Sequence, residues 1–358
     1  MRKLLIYIVM LITATSSIAQ SQTPVAVNDT YSLLTMPFNQ RQLTLYKGQL
    51  QVNAGYKFSV LARQFNTAGK LEILRDMGIA SVYHYYFTEI RFGVTGFLEL
   101  GAQSNYMKRG VRSQTVTYVS TNETVKVNSL TEEKGLGDIL LFATLRLPLE
   151  FRIADLGIRG GMLIPSAEHE PQKPTHNVSN VLSASEYTVN YQYHNTTGSG
   201  VPVYFFSVHT KATLSDFSLT ASFTMSNPAT EGENIRWEQS LTESRTFDYS
   251  TSTYKYLPDR TYDLKTSFHY QAAGWLNAGI NLNLSKTDAG WTEYWGKKYR
   301  NPEKRMVSIE PGLEIQVTPS ITIYQKAGFP ISGKNIHAPF HMYITASFNR
   351  FPFFRQPR

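Results

Sequence analysis

The sequence predicts an all-β fold, a transmembrane antiparallel up-and-down β-barrel of about twelve strands. Three observations carry that expectation. Apolar and polar residues alternate with period two from residue 49 almost to the carboxyl end. Beyond the first two dozen residues, no apolar run approaches the length of a membrane-crossing helix. The links between the alternating segments switch regularly between short and long.

The amino-terminal residues set the compartment. Arg2 and Lys3 precede the apolar run Leu4 to Ile12, and Ser17-Ile18-Ala19 has the small-x-small form that signal peptidase accepts. The apolar core is short of the roughly twenty residues a spanning helix needs. Residues 1–19 are therefore expected to be a cleaved signal peptide. Residues 20–48 lack alternation and are expected to form a periplasmic segment or a short plug entering the barrel. The barrel is expected over 49–348, with 349–358 as a carboxyl-terminal tail.

The strands follow in order. From Gln49 to Ala62, Leu50, Val52, Ala54, Tyr56, Phe58 and Val60 share one face, and Gln51, Asn53, Lys57 and Ser59 share the other. Spacing of two over that length is a strand with one oily and one polar side. The same alternation recurs over 81–94, 98–106, 138–147, 155–164, 204–214, 217–225, 262–271, 276–284, 307–316, 321–329 and 340–348. Short links near 95–97, 215–216, 273–274 and 318–320 alternate with long ones near 63–78, 109–134, 166–200, 226–260, 286–305 and 332–338. That sorting matches periplasmic turns and extracellular loops, and an even strand count puts both chain ends on the turn side. The cause is the solvent. Hydrocarbon offers no hydrogen-bond partners, so a sheet in lipid must close on itself.

Composition narrows the alternatives. The chain has no cysteine, which excludes a disulfide scaffold and a lipid-modified amino-terminal cysteine. Its net charge of +8 comes from scattered Lys and Arg rather than a basic face, so no nucleic-acid partner is expected.

The polar faces carry the candidate site. Glu89, Arg91, Glu99, Asp138, Arg146, Asp155, Arg159, Lys211, Asp263, Lys265, Glu310, Glu314 and Lys326 are expected to line the lumen. Their mixed signs fit a self-neutralising network that fills a narrow barrel, against the sharper alternative of a charge-selecting constriction. Leu140 and Phe142 fall on the same face and suggest an apolar ligand patch.

Catalysis and metal binding have weak support. The Ser/His combinations His209 with Ser207, His269 with Ser267, and His341 with Ser347 lie on strands, where neighbours of one parity share a face by default. His169, His176 and His194 fall in one long loop without a carboxylate cluster. No catalytic residue, metal site or cofactor is expected.

Four short motifs add a resemblance. Gly135 to Asp138 reads GLGD at the start of a strand, Gly160 to Ser166 reads GGMLIPS, Leu98 to Gly101 reads LELG after a tight turn, and Ala327 to Gly333 reads AGFPISG. Their order over about residues 80–348 resembles the phenol meta-pathway degradation family of outer-membrane barrels, relatives of the fatty-acid and aromatic-hydrocarbon channels. Where that family often shows Thr-Gly-Asp after the strand-end proline, this chain has Ser166-Ala167-Glu168. The resemblance implies an outer-membrane barrel that moves small solutes, hydrophobic ones among them.

The expected function is thus a passive channel or transporter, with two alternatives: a surface barrel adhering through its loops, or a lipid-modifying enzyme. The expected partners are outer-membrane lipid and lipopolysaccharide, the barrel-assembly machinery during insertion, and a small-molecule solute, with the chain a monomer.

Overall fold

The computed structural model describes residues 43–73, 80–120, 123–147, 154–166, 175–179, 187–192, 199–241, 247–294 and 296–350. The signal segment and residues 20–42 lie outside the described residues, as do His169 and His194. Twelve strands form the barrel: β1 Leu50–Leu61, β2 Ala80–Gly93, β3 Leu98–Ser120, β4 Ile139–Leu147, β5 Ala154–Ile164, β6 Val203–Leu214, β7 Phe217–Pro228, β8 Arg260–Ala273, β9 Leu276–Asp288, β10 Lys304–Thr318, β11 Ile321–Lys334 and β12 Phe340–Arg350. Each pairs antiparallel with the next. The first and last strands then pair with each other from Leu50↔Arg350 to Val60↔Phe340, so the barrel sheet has no open edge.

The period-two pattern decides which way each residue points. Ile90, Leu100, Leu141, Ile280 and Ile344 are each more than 40 % exposed on the outer surface. The alternate residues Glu99, Thr144, Ser207, Asn281, Thr322 and Ser347 are buried. This inverts a water-soluble core, and it is the arrangement hydrocarbon selects, because polar side chains are costly against lipid.

Glycines position the larger inward side chains. Phe87, Phe142 and Phe205 stand opposite Gly55, Gly101 and Gly161 in the register of the preceding strand. A Cβ on any of these glycines would strike the ring beside it. The rings therefore lie flat along the wall instead of projecting across the lumen. At the tight link between β6 and β7, Ser215 adopts a φ of 52°, the left-handed backbone that two-residue hairpins demand.

The structure corrects three boundaries. The third strand, expected to end near Tyr106, runs to Ser120 and pairs with a strand at Glu123–Leu136, so the 109–134 connection is a hairpin. The 226–260 connection carries a second hairpin, Gly232–Leu241 with Phe247–Leu257, within a five-stranded sheet. Thr115-Val116-Thr117-Tyr118 favours extended backbone. Charged, amide or hydroxyl residues fall on both parities of Glu123–Leu136, so no oily face marks it in the sequence. The last strand reaches Arg350, because Asn349 and Arg350 still find partners in Gln51 and Leu50.

Candidate functional site

The turn end of the lumen is tied together by ions. Arg91 on β2 grips Glu99 on β3 with two parallel bonds, Nε to Oε1 at 2.8 Å and Nη2 to Oε2 at 2.7 Å. Its remaining nitrogen donates to Gln51 Oε1 at 2.9 Å. Arg159 on β5 approaches the same carboxylate at 3.7 Å and donates to Thr144 Oγ1 at 2.9 Å. Glu99 is wholly buried, so its charge is carried by these two guanidinium groups rather than by water. Arg146 pairs with Asp155 at 2.6 Å.

Residues 43–49 join this network. The Leu45 amide donates to Glu99 Oε2 at 3.0 Å, and the Leu43 amide donates to Asp155 Oδ2 at 3.3 Å. Gly48 and Gly93 pair through the backbone at 2.7 Å, and a Cβ on Gly93 would collide with the Tyr46 carbonyl. The segment before β1 therefore lies against the turn end of the barrel, with Thr44 and Leu45 buried.

Asn277, at the turn end of β9, donates to Glu314 at 3.1 Å, and further along the strands Asn53 donates to Glu89 at 2.8 Å and His341 meets Glu310 at 3.2 Å. Lys211 stands opposite Asp155 in register. Asp138 is buried where the loops begin. Its carboxylate accepts bonds from the Ser166 amide at 3.2 Å and from the Ser199 amide and hydroxyl at 2.6 Å each, so it holds both ends of one long connection. The Tyr256 hydroxyl donates to the Ser199 carbonyl at 2.6 Å. Burial, with the Asp138 carboxylate nearby, pushes that phenol above its ordinary range.

Three cavities of about 440, 390 and 230 Å³ lie on the interior. Tyr324 and Lys326 line all three, and Lys265 lines the two larger ones. Asp263 and Glu310 border the second cavity, Glu314 the first, and Arg91 the third. Leu43 borders the largest.

Arg159 lies 4.6 Å over the Phe142 ring, and that ring is 5 % exposed, so Phe142 offers no open apolar surface to a ligand. The apolar wall is elsewhere, at Phe87, Tyr324 and Tyr343 around the second cavity. These rings were not among the residues expected to line the lumen, although Phe87 shares the parity of Glu89 and Arg91.

In two of the three Ser/His combinations the side chains bond elsewhere. The Ser207 hydroxyl bonds Thr224 at 2.6 Å, Ser347 accepts from Gln51 at 3.0 Å, and His341 is committed to Glu310. Among the described residues no group of three His, Asp or Glu side chains is placed to hold a metal ion.

No protein-family model and no curated protein sequence matches the chain. Solved structures do share its fold. The COG4313 outer membrane channel from Pseudomonas putida F1 superimposes with a TM-score of 0.59 at 12 % identity, covering 88 % of this chain and 99 % of that one. The CymD monoaromatic hydrocarbon channel superimposes with a TM-score of 0.44 at 8 % identity, over 86 % of this chain and 89 % of that one. The first of these shows the shared architecture, a closed antiparallel barrel of this size.

Proposed function

We propose that the chain is an outer-membrane channel of a Gram-negative bacterium, passing small solutes, hydrophobic ones among them, passively through its lumen. One observation carries the reading. A closed sheet with an oily exterior encloses cavities, lined by both charged and aromatic side chains, that adjoin one another at Tyr324 and Lys326. A barrel serving only to display loops has no need of such a chain of cavities. The fold shared with a protein described as an outer membrane channel supports the same reading. The outer surface then meets lipid and, at the loop end, lipopolysaccharide.

The cavities are small, so the path is narrow and flux modest beside that of a wide porin. Reconstitution of the purified full-length protein in planar bilayers tests this. Discrete single-channel steps are the expected result. A silent bilayer, together with absence of solute uptake into proteoliposomes, sinks the proposal.

A further inference from the structure

The 390 Å³ cavity is lined by two unlike sets of side chains. Phe87 on β2, Tyr324 on β11 and Tyr343 on β12 bring aromatic rings to it. Asp263 and Lys265 on β8, Glu310 on β10 and Lys326 on β11 bring two carboxylates and two ammonium groups.

Those four charges balance in sign. An anion entering the cavity meets Asp263 and Glu310, and a cation meets Lys265 and Lys326, so neither gains from the site as a whole. A hydroxyl group fits both kinds of neighbour, because it donates to a carboxylate and accepts from an ammonium. Asn283 and Thr345 add further polar tips to the lining. A solute with one hydroxyl leaves most of these groups unmet once it displaces water, whereas a solute with several satisfies them.

Phe87 supplies a platform beside the charges. Its ring is pressed against Gly55, where any Cβ would strike it, so the opposite face is the one the cavity meets. The ring is half-buried, and it borders the 230 Å³ cavity as well. Phe142 lies against a glycine in the same way, but Arg159 covers it at 4.6 Å. Phe87 is thus a flat ring left open to the lumen, and an aromatic face favours an apolar surface laid on it.

We propose that this cavity is a station for an uncharged monosaccharide ring. The C–H face of the sugar lies on Phe87, and hydroxyls on its rim bridge Asp263 and Glu310 to Lys265 and Lys326. A cavity of this volume suits a molecule of that size. The station rests on the channel reading and names a class of solute for it, neutral and polyhydroxylated.

Saturation-transfer NMR on the full-length protein in detergent tests the station without requiring conduction. Transfer from aromatic protons to glucose is expected, and weaker transfer to glucosamine and glucuronate, which place a positive or a negative charge on the same ring. Phe87→Leu is expected to weaken glucose binding by about tenfold, and Phe87→Tyr to retain it. Lys326→Met is expected to shift preference towards glucosamine, and Asp263→Asn towards glucuronate. Heat-dependent gel mobility identifies variants that keep the folded barrel, and if Phe87→Leu does not fold the two charge variants decide. Absence of transfer to glucose, equal binding of either charged sugar, full glucose affinity in the folded Phe87→Leu variant, or charge variants that fail to shift in opposite directions overturns the station. Glucose binding by a protein silent in bilayers upholds the station and defeats the channel, and conduction without glucose binding does the reverse.

Discussion

The Leu45 amide donates to the buried carboxylate of Glu99 at 3.0 Å, so the segment preceding the first strand is held by the same charge that Arg91 clamps. Removing Glu99 should release both at once. Glu99→Leu leaves Arg91 and Arg159 facing a buried space without their anion, a loss of about 3–5 kcal/mol for a broken buried pair. Urea unfolding of the detergent-solubilised protein measures it. Adding Arg91→Leu should recover part of the loss, and a double variant no more stable than Glu99→Leu alone would refute the pairing.

Gly101 makes room for the Phe142 ring. Gly101→Val should displace that ring and cost about 1–3 kcal/mol, the usual range for overpacking. The same substitution in a Phe142→Ala background should cost measurably less. Equal losses in both backgrounds would mean that the ring and the glycine are not coupled.

Ile280 sits mid-strand on the outer surface at 41 % exposure, whereas Asn283, on the opposite face of β9, bonds Ser308 at 3.4 Å. Ile280→Arg should destabilise the barrel in lipid vesicles by about 2–4 kcal/mol, as arginine does at the bilayer midplane. Asn283→Lys should cost far less. A reversed order, read from vesicle unfolding titrations, would place the oily face on the wrong side.

Asp138 gathers three hydrogen bonds from Ser166 and Ser199. Asp138→Ala should free the ends of the connection between them, since each bond to a charged acceptor is worth about 1.5–3 kcal/mol. Protease added outside intact cells should then cut between residues 166 and 199 faster than in the parent. Unchanged cutting would show that the anchor lies elsewhere.

Tyr256 provides a pH-dependent counterpart. Its folded phenol titrates above the unfolded one, so the bond to Ser199 contributes fully below the unfolded value and is lost as pH rises through the folded value. Phenolate absorbance should include one late-titrating tyrosine that disappears in Tyr256→Phe. Loss of an early phase instead would contradict the burial of that hydroxyl.

Strand parity was fully legible in the sequence, because lipid outside and water inside write one side chain in two as apolar. Leu141 and Thr144 could be assigned to opposite faces from their numbers alone. The strands beyond the bilayer, such as Glu123–Leu136, were not legible, since no second solvent sorts their faces. Within the site, each charge could be placed on its face, but its partner could not. Arg91 and Glu99 are eight residues apart, whereas Lys265 and Lys326, which line the same two cavities, stand on strands that two others separate. Unpaired atoms such as Asn277 Oδ1 emerge only from the finished hydrogen-bond network.

The seam between the first and last strands joins residues up to three hundred positions apart, as with Gln49 and Asn349. Nothing upstream can substitute for β12, so a nascent ribbon keeps two raw margins until translation has delivered its final segment. Closure of the sheet therefore waits for the end of synthesis. A premature stop before residue 340 would yield a product that no bilayer can accept.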